Sequence, residues 1–195
     1  MTKLQKIAKF EKVSYEQFKE SFLNTLSEDY LVELKMLPAR MSGQDKTAVD
    51  TKLRKIYDSI RLPRRATVGS AGYDFFAPFN IIIKPGETFK MPTGIRAIID
   101  EGWVLQCFPR SGLGFKYRMQ LDNTVGIIDS DYSNSDNEGH IMAKFTNDSR
   151  ESKVIFVPSG AGYMQGLFIP FGITVDDDAD GIRNGGFGST TKKEG

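Results

Sequence analysis

Five short stretches hold residues that could do chemistry. The run NTVGIIDSDY (residues 123–132) is an apolar strand that ends in Asp129, Asp131 and Tyr132. An acid at a strand end serves as a turn cap, but two acids beside an aromatic can also form a site. PRSGLG (109–114) reads either as a hairpin loop or as a phosphate cradle. In the second reading Gly112 lets the backbone approach closely, main-chain N–H groups and the Ser111 hydroxyl donate hydrogen bonds, and Arg110 supplies charge. SAGYD (70–74) is a turn followed by an acid, and GYMQG (162–166) places Gln165 in an apolar run. RNGGFGST (183–190) combines Arg183, hydroxyls and a lone Phe187 between glycines, which is either a solvated tail or a working segment.

Composition removes other chemistries. A single cysteine, Cys107, excludes an internal disulfide and a cysteine-built zinc site. A single histidine, His140, excludes a two-histidine metal site. His140 follows a glycine at a strand start and reads as a packing or surface residue; Cys107, in WVLQCF, reads as a buried core thiol. The net charge of +1 argues against a generic nucleic-acid binder. No stretch approaches the length of an apolar membrane span, and the first ten residues lack the apolar run of a secretory signal. A cytoplasmic setting, in a bacterial cell or a phage-infected host, is expected.

The elements that must position these residues fall into two textures. Of 19 glycines, only Gly43 precedes residue 61, and Pro38 is the only proline there. The first segment therefore reads helical. Phe18, Phe22 and Leu26 recur on one helical face over residues 14–26, with Ser14 and Gln17 spaced as a capping box. A second helix is expected over about residues 45–60, with Val49, Leu53, Ile56, Tyr57 and Ile60 on one side and Pro63 beyond it. This segment, 1–62, reads as a small helical extension packed on a neighbour, with its charges on a solvated face. Beyond it, apolar runs at 79–84, 88–99, 103–108, 125–129, 140–147, 154–157 and 167–175 alternate with glycine and proline. Such spacing fits a mainly β sandwich or barrel. Residues 63–178 are taken as that body, and 179–195 as a glycine-rich tail with little to bury.

In order, the five stretches resemble the five motifs of the trimeric dUTP diphosphatase (dUTPase) family, over about residues 64–191. DSDYSNSDNEGHI is similar to a bacterial and phage subgroup with a longer loop after the motif-three tyrosine. The resemblance implies a jelly-roll-like distorted β-barrel with an N-terminal helical extension and a flexible C-terminal glycine-rich tail. It implies a homotrimer with active sites at the subunit interfaces, closed by the tail as a lid. It also implies hydrolysis of dUTP to dUMP and pyrophosphate with Mg²⁺ as cofactor.

Residue by residue, the resemblance makes Asp129 the acid that orients and deprotonates the attacking water. Asn123, Gly126 and Ile128 would belong to the strand and turn that read uracil, and Tyr132 would pack under the deoxyribose. Arg110, Ser111 and Gly112 would hold the phosphate chain with Gln165. Arg183 and Ser189 would meet the γ-phosphate, and Phe187, beside Gly188, would stack over uracil. Asp74 would touch Mg²⁺ only through water, with no direct protein ligand.

The sequence departs from the family pattern in three places. Gly162 stands where motif four commonly has an arginine, six residues separate Tyr132 from Gly139, and motif five is one residue short after Arg183, with Thr191 where a glycine is common. Two rival readings are a dCTP deaminase, which the motif-three acid and the glycine-rich tail disfavour, and a binding protein. The latter would hold a repressor or other partner through residues 1–60 or 133–138 under nucleotide control. No nucleic-acid or membrane partner is expected.

Overall fold

The structure is a computed structural model that describes residues 4–27, 31 and 43–183. Its strands form four sheets. Strands β1 (Ala8–Lys12) and β6 (Ile95–Ile99) pair antiparallel. Strand β10 (Met142–Asn147) lies between β5 (Thr88–Pro92) and β8 (Met119–Leu121). Strands β4 (Ile81–Ile83) and β11 (Ile155–Val157) form a third ladder. The largest sheet runs β2 (Arg64–Arg65), β3 (Tyr73–Phe76), β12 (Gly162–Pro170), β7 (Trp103–Pro109) and β9 (Gly126–Ile128). Every pairing is antiparallel. This is the expected mainly β, jelly-roll-like arrangement.

The expected run 88–99 is two strands. Gly94 breaks it with a φ of 70°, and a Cβ there would lie 2.3 Å from Ile60 Cδ1, so only glycine serves. The last expected strand begins five residues earlier, at Gly162, and ends at Pro170. Motif one, read as a turn and an acid, becomes strand β3 at its C-terminal part.

Helix α1 (Tyr15–Thr25) follows from its period. Phe18 and Phe22 are fully buried, and burying each side chain contributes about 1.5–3 kcal/mol. Ser14 caps it, its Oγ accepting from the Gln17 N–H at 3.1 Å. Helix α2 (Gly43–Ser59) buries Leu53 and leaves Ile56 and Tyr57 half-buried against the same core.

The extension differs from its expected form in two ways. Ala8–Lys12 is a strand rather than part of a helical segment. The extension also packs on its own β body. Phe10 meets Tyr73, Phe75 and Phe168 at ring separations of 5.4, 5.6 and 5.5 Å, and Phe22 meets Phe79 at 5.3 Å. Tyr57 Oη donates to the Val13 carbonyl at 2.7 Å, and Lys12 Nζ donates to the Tyr57 carbonyl at 2.8 Å. One continuous hydrophobic core therefore includes Phe10, Phe18, Phe22 and Leu53 together with Phe75, Ile83, Phe145 and Ile155.

Candidate active site

The largest sheet assembles the first cluster. Gln165 stands opposite Asp74 on one side and Phe108 on the other, and Arg64 stands opposite Asp74. Directly paired residues share a face. Arg64, Asp74 and Gln165 thus lie in one row. Arg110 joins them from the end of β7, with its Nε 3.5 Å from Asp74 Oδ1. Its Nη1 donates to the Gly162 carbonyl at 3.5 Å. A Cβ at position 162 would lie 2.5 Å from that Nη1, so the missing side chain gives Arg110 its place. Gly72 plays the same part for Gln165, whose Oε1 would stand 2.7 Å from a Cβ there. Ser111 and Gly112 open the short helix α3 (Ser111–Tyr117), both exposed, with open space over Gly112. The result is an exposed face with a guanidinium, a hydroxyl, an amide and main-chain groups, a donor set suited to phosphate oxygens.

A cavity of about 470 Å³ lies beside β9. Asn123, Gly126, Ile128, Cys107, Ala143 and Met164 are among its lining residues. Its size falls in the range of small-molecule sites. Asn123 sits in a tight turn: the Thr124 N–H donates to the Leu121 carbonyl at 2.9 Å, and Thr124 takes a φ of 69°. Gly126 lies across from Cys107, whose Cβ would be 3.1 Å from an added methyl. Burial pushes the Cys107 thiol up to about 12, so it lines the cavity as an inert apolar group.

The second charged cluster begins one residue past the cavity. Ile128 ends β9, and Asp129 is the N-cap of a 3-10 turn, Ser130–Asn134. The turn is closed by main chain, the Tyr132 N–H donating to the Asp129 carbonyl at 3.1 Å. The Asp129 carboxylate makes no capping bond and is turned instead to Arg183. Arg183 Nη2 donates to Asp129 Oδ2 at 2.6 Å, and Arg183 Nε lies 3.2 Å from Asp131 Oδ1. The guanidinium also lies 5.6 Å from the Tyr132 ring centre, within cation–π range.

Tyr132 is buried at its hydroxyl end. Its Oη donates to the His140 carbonyl at 3.0 Å and accepts from Asn137 Nδ2 at 2.9 Å. Burial raises the phenol's pKa, partly offset by the Asn137 bond. His140 is fully buried, and burial lowers its pKa to about 4. The Gly94 N–H donates to Nε2 at 2.8 Å, so the neutral ring carries its proton on Nδ1, 3.0 Å from Ser21 Oγ. It is a packing histidine.

Of the expected residues, Asp74, Arg110 and Gln165 meet in the first cluster, Asn123, Gly126 and Ile128 on the cavity, and Asp129, Tyr132 and Arg183 in the second. Phe187, Gly188, Ser189 and Thr191 lie outside the described residues. Asp131, the second of the two acids noted beside Tyr132, shares the Arg183 guanidinium. One charged residue escaped the sequence reading: Arg64 joins the Asp74 row through strand pairing, which no local pattern announced.

Residues 58–191 match the model of the dUTPase family. The chain therefore belongs to the dUTPase family. It is 41% identical over 134 residues to the deoxyuridine 5'-triphosphate nucleotidohydrolase of Lactococcus lactis, covering 67% of this chain and 88% of the relative. It is 35% identical over 167 residues to the protein of that name from Tolumonas auensis, covering 82% and 96%. Among solved structures it resembles the dUTPase of Streptococcus mutans, at 38% identity and a TM-score of 0.52 over 58% of this chain and 88% of that one. The dUTPase of Staphylococcus aureus phage phi11 shares the fold, with a TM-score of 0.52 at 20% identity, covering 66% and 95%.

Proposed function

We propose that this chain hydrolyses dUTP to dUMP and pyrophosphate, keeping uracil out of DNA and supplying dUMP for thymidylate synthesis. The observation that carries the reading is the junction at Ile128 and Asp129. Ile128 lines a nucleoside-sized cavity, and the next residue presents a carboxylate that its own turn leaves uncommitted. Family membership supports the same reading.

Uracil and deoxyribose occupy the cavity. The Asn123 turn and the Gly126 backbone offer donors and acceptors that match uracil and leave buried polar groups unpaired with cytosine. Tyr132 forms the sugar wall. Arg110, Ser111, Gly112 and Gln165 take the phosphate chain, and Arg183, with Ser189 and Phe187 of the tail, closes over it. Asp129 accepts a proton from water as the water oxygen bonds to the α-phosphorus. The bond from that phosphorus to the bridging oxygen breaks in line, and pyrophosphate leaves. General-base assistance of this kind contributes about 10²–10⁴-fold.

Among the described residues no three histidine, cysteine or carboxylate groups converge. A Mg²⁺ ion that takes its oxygens from phosphate and water needs no such set. Asp74, beside the phosphate-facing residues, would meet it through water. When bound, the ion offsets charge on the triphosphate. The two charged clusters have their own ion pairs, and strand register sets them apart on one protomer: Ile128, next to Asp129, pairs with Leu105, five residues before Arg110. That separation supports a homotrimer in which clusters from different subunits complete each site.

The test is pyrophosphate release from dUTP, dCTP, dTTP and UTP with Mg²⁺, run beside Asp129→Asn. Release from dUTP alone, lost in the variant, is expected. Equal release from all four, or an unaffected variant, would overturn the reading.

A further inference from the structure

The extension and the long loop meet at one carboxylate. In a capping box the third residue's side chain returns to the N-cap N–H. Here Gln17 does not return; its Nε2 donates to Ser21 Oγ at 3.0 Å. The Ser14 N–H instead donates to Glu138 Oε2 at 2.7 Å, and the Ser14 hydroxyl to Glu138 Oε1 at 2.6 Å. The missing half of the box arrives from 124 residues away. Glu138 reaches it with a φ of 58°, followed by Gly139 at 71°, a backbone conformation uncommon for a glutamate. A Cβ at Gly139 would lie 2.6 Å from Ser133 Cα, so the loop is folded tightly on itself.

A second tie from the same helix lies two residues further along the loop. Ser21 faces His140 Nδ1, and Phe18 packs on the His140 ring. The His140 carbonyl is in turn the acceptor for Tyr132 Oη. Strand β6, the partner of β1, contributes Arg96 Nη2, which donates to the Ser133 carbonyl at 3.2 Å. Helix α1, its N-cap Ser14 and strand β6 therefore hold the loop that follows Tyr132 at Ser133, Glu138 and His140.

We infer that Glu138 and Ser21 are positioning residues: through them the N-terminal extension fixes the Tyr132 ring at the sugar wall and so sets the preference for a deoxyribose over a ribose nucleotide. The inference rests on the reading of Tyr132 in the proposed function. A 2'-hydroxyl is excluded only if the ring cannot retreat, and a ring tied at its hydroxyl retreats only when the loop does. Glu138 and Ser21 bond the loop and not the ring itself, so each acts on Tyr132 through the loop whose His140 carbonyl holds the Tyr132 hydroxyl.

The experiment compares kcat and KM for dUTP and UTP in the full chain, Glu138→Ala, Glu138→Gln and Ser21→Ala, with thermal melts of each. In Glu138→Ala the ratio of kcat/KM for dUTP to that for UTP should fall about tenfold, the factor for a lost charge-assisted hydrogen bond. Glu138→Gln, which can still accept from the Ser14 N–H, should keep most of the ratio. Should Glu138→Ala not fold, Ser21→Ala carries the same comparison. An unchanged ratio, even with lower activity toward both nucleotides or a lower melting temperature, would reduce the contact to a structural tie and overturn the inference. If the unmodified chain shows no preference for dUTP over UTP, the reading of the cavity falls and the inference with it. If it shows the preference and the variants keep it, only the inference falls.

Discussion

Arg183, the last described residue and part of the glycine-rich tail, is bound to Asp129, the carboxylate that begins the 3-10 turn, with Nη2 and Oδ2 2.6 Å apart. The Asp129 side chain is 44% exposed, so the pair contributes less than about 1 kcal/mol to folding. In the proposed function the pair holds the tail arginine where the nucleotide would arrive. Arg183→Gln should raise KM for dUTP about tenfold while the melting temperature barely moves. A large loss of stability with unchanged KM would make the pair structural.

Asp129→Asn should lower kcat at least about 10²-fold, the lower end for a positioned general base. Binding of a non-hydrolysable dUTP analogue, followed by calorimetry, should change little, because the Arg110 cluster is untouched. Rates within a few-fold of the unmodified protein would remove Asp129 from its role.

Truncation after Arg183 should slow turnover strongly and leave the melting transition in place. Among the described residues the continuous core and the side chains packed on it end at Phe168, so truncation should leave it closed. Full turnover in the truncated protein would show that the tail takes no part.

Gly162→Ala should displace Arg110 rather than unfold the sheet. The clash at 2.5 Å is with the far end of a flexible side chain. KM for dUTP should rise several-fold while stability shifts by less than about 1 kcal/mol, since alanine fits a strand at ordinary φ. An unchanged KM would separate Arg110 from phosphate binding.

Stability should fall as pH drops through the range from about 6.5 to about 4. His140 is held neutral by burial, with its pKa lowered to about 4 from 6.5, so the unfolded chain binds the extra proton in that window. The contribution is fully present above pH 6.5, and about 3 kcal/mol is lost by pH 4. Glu138 adds a smaller loss in more acidic solution: burial opposes its charge, but the two Ser14 bonds outweigh that and lower its pKa. Denaturant melts across pH, run beside His140→Gln, check this. Equal slopes in the two proteins would exclude His140.

Much of the site was legible because its motifs are local. The apolar strand before Asp129, the glycines of PRSGLG and the period of Phe18, Phe22 and Leu26 are each written in a few adjacent residues, where chain stiffness and one-sided burial act directly. So the sequence by itself determined the β texture of residues 63–178, helix α1 and the identity of the charged groups. It did not determine which groups meet. Ala8–Lys12 has too few apolar residues to declare a strand, and it becomes one because β6 offers an open edge and Phe10 reaches the core. Arg64 joins Asp74 through register alone. Gly162 looked like a lost arginine, yet its bare backbone is the floor on which Arg110 rests. Ser14 reaches Glu138, and Ser21 reaches His140, across more than a hundred residues. Contacts of that kind depend on how the sheets and the extension pack, which no local preference encodes, and so the tertiary structure alone tied the extension to the loop that carries Tyr132.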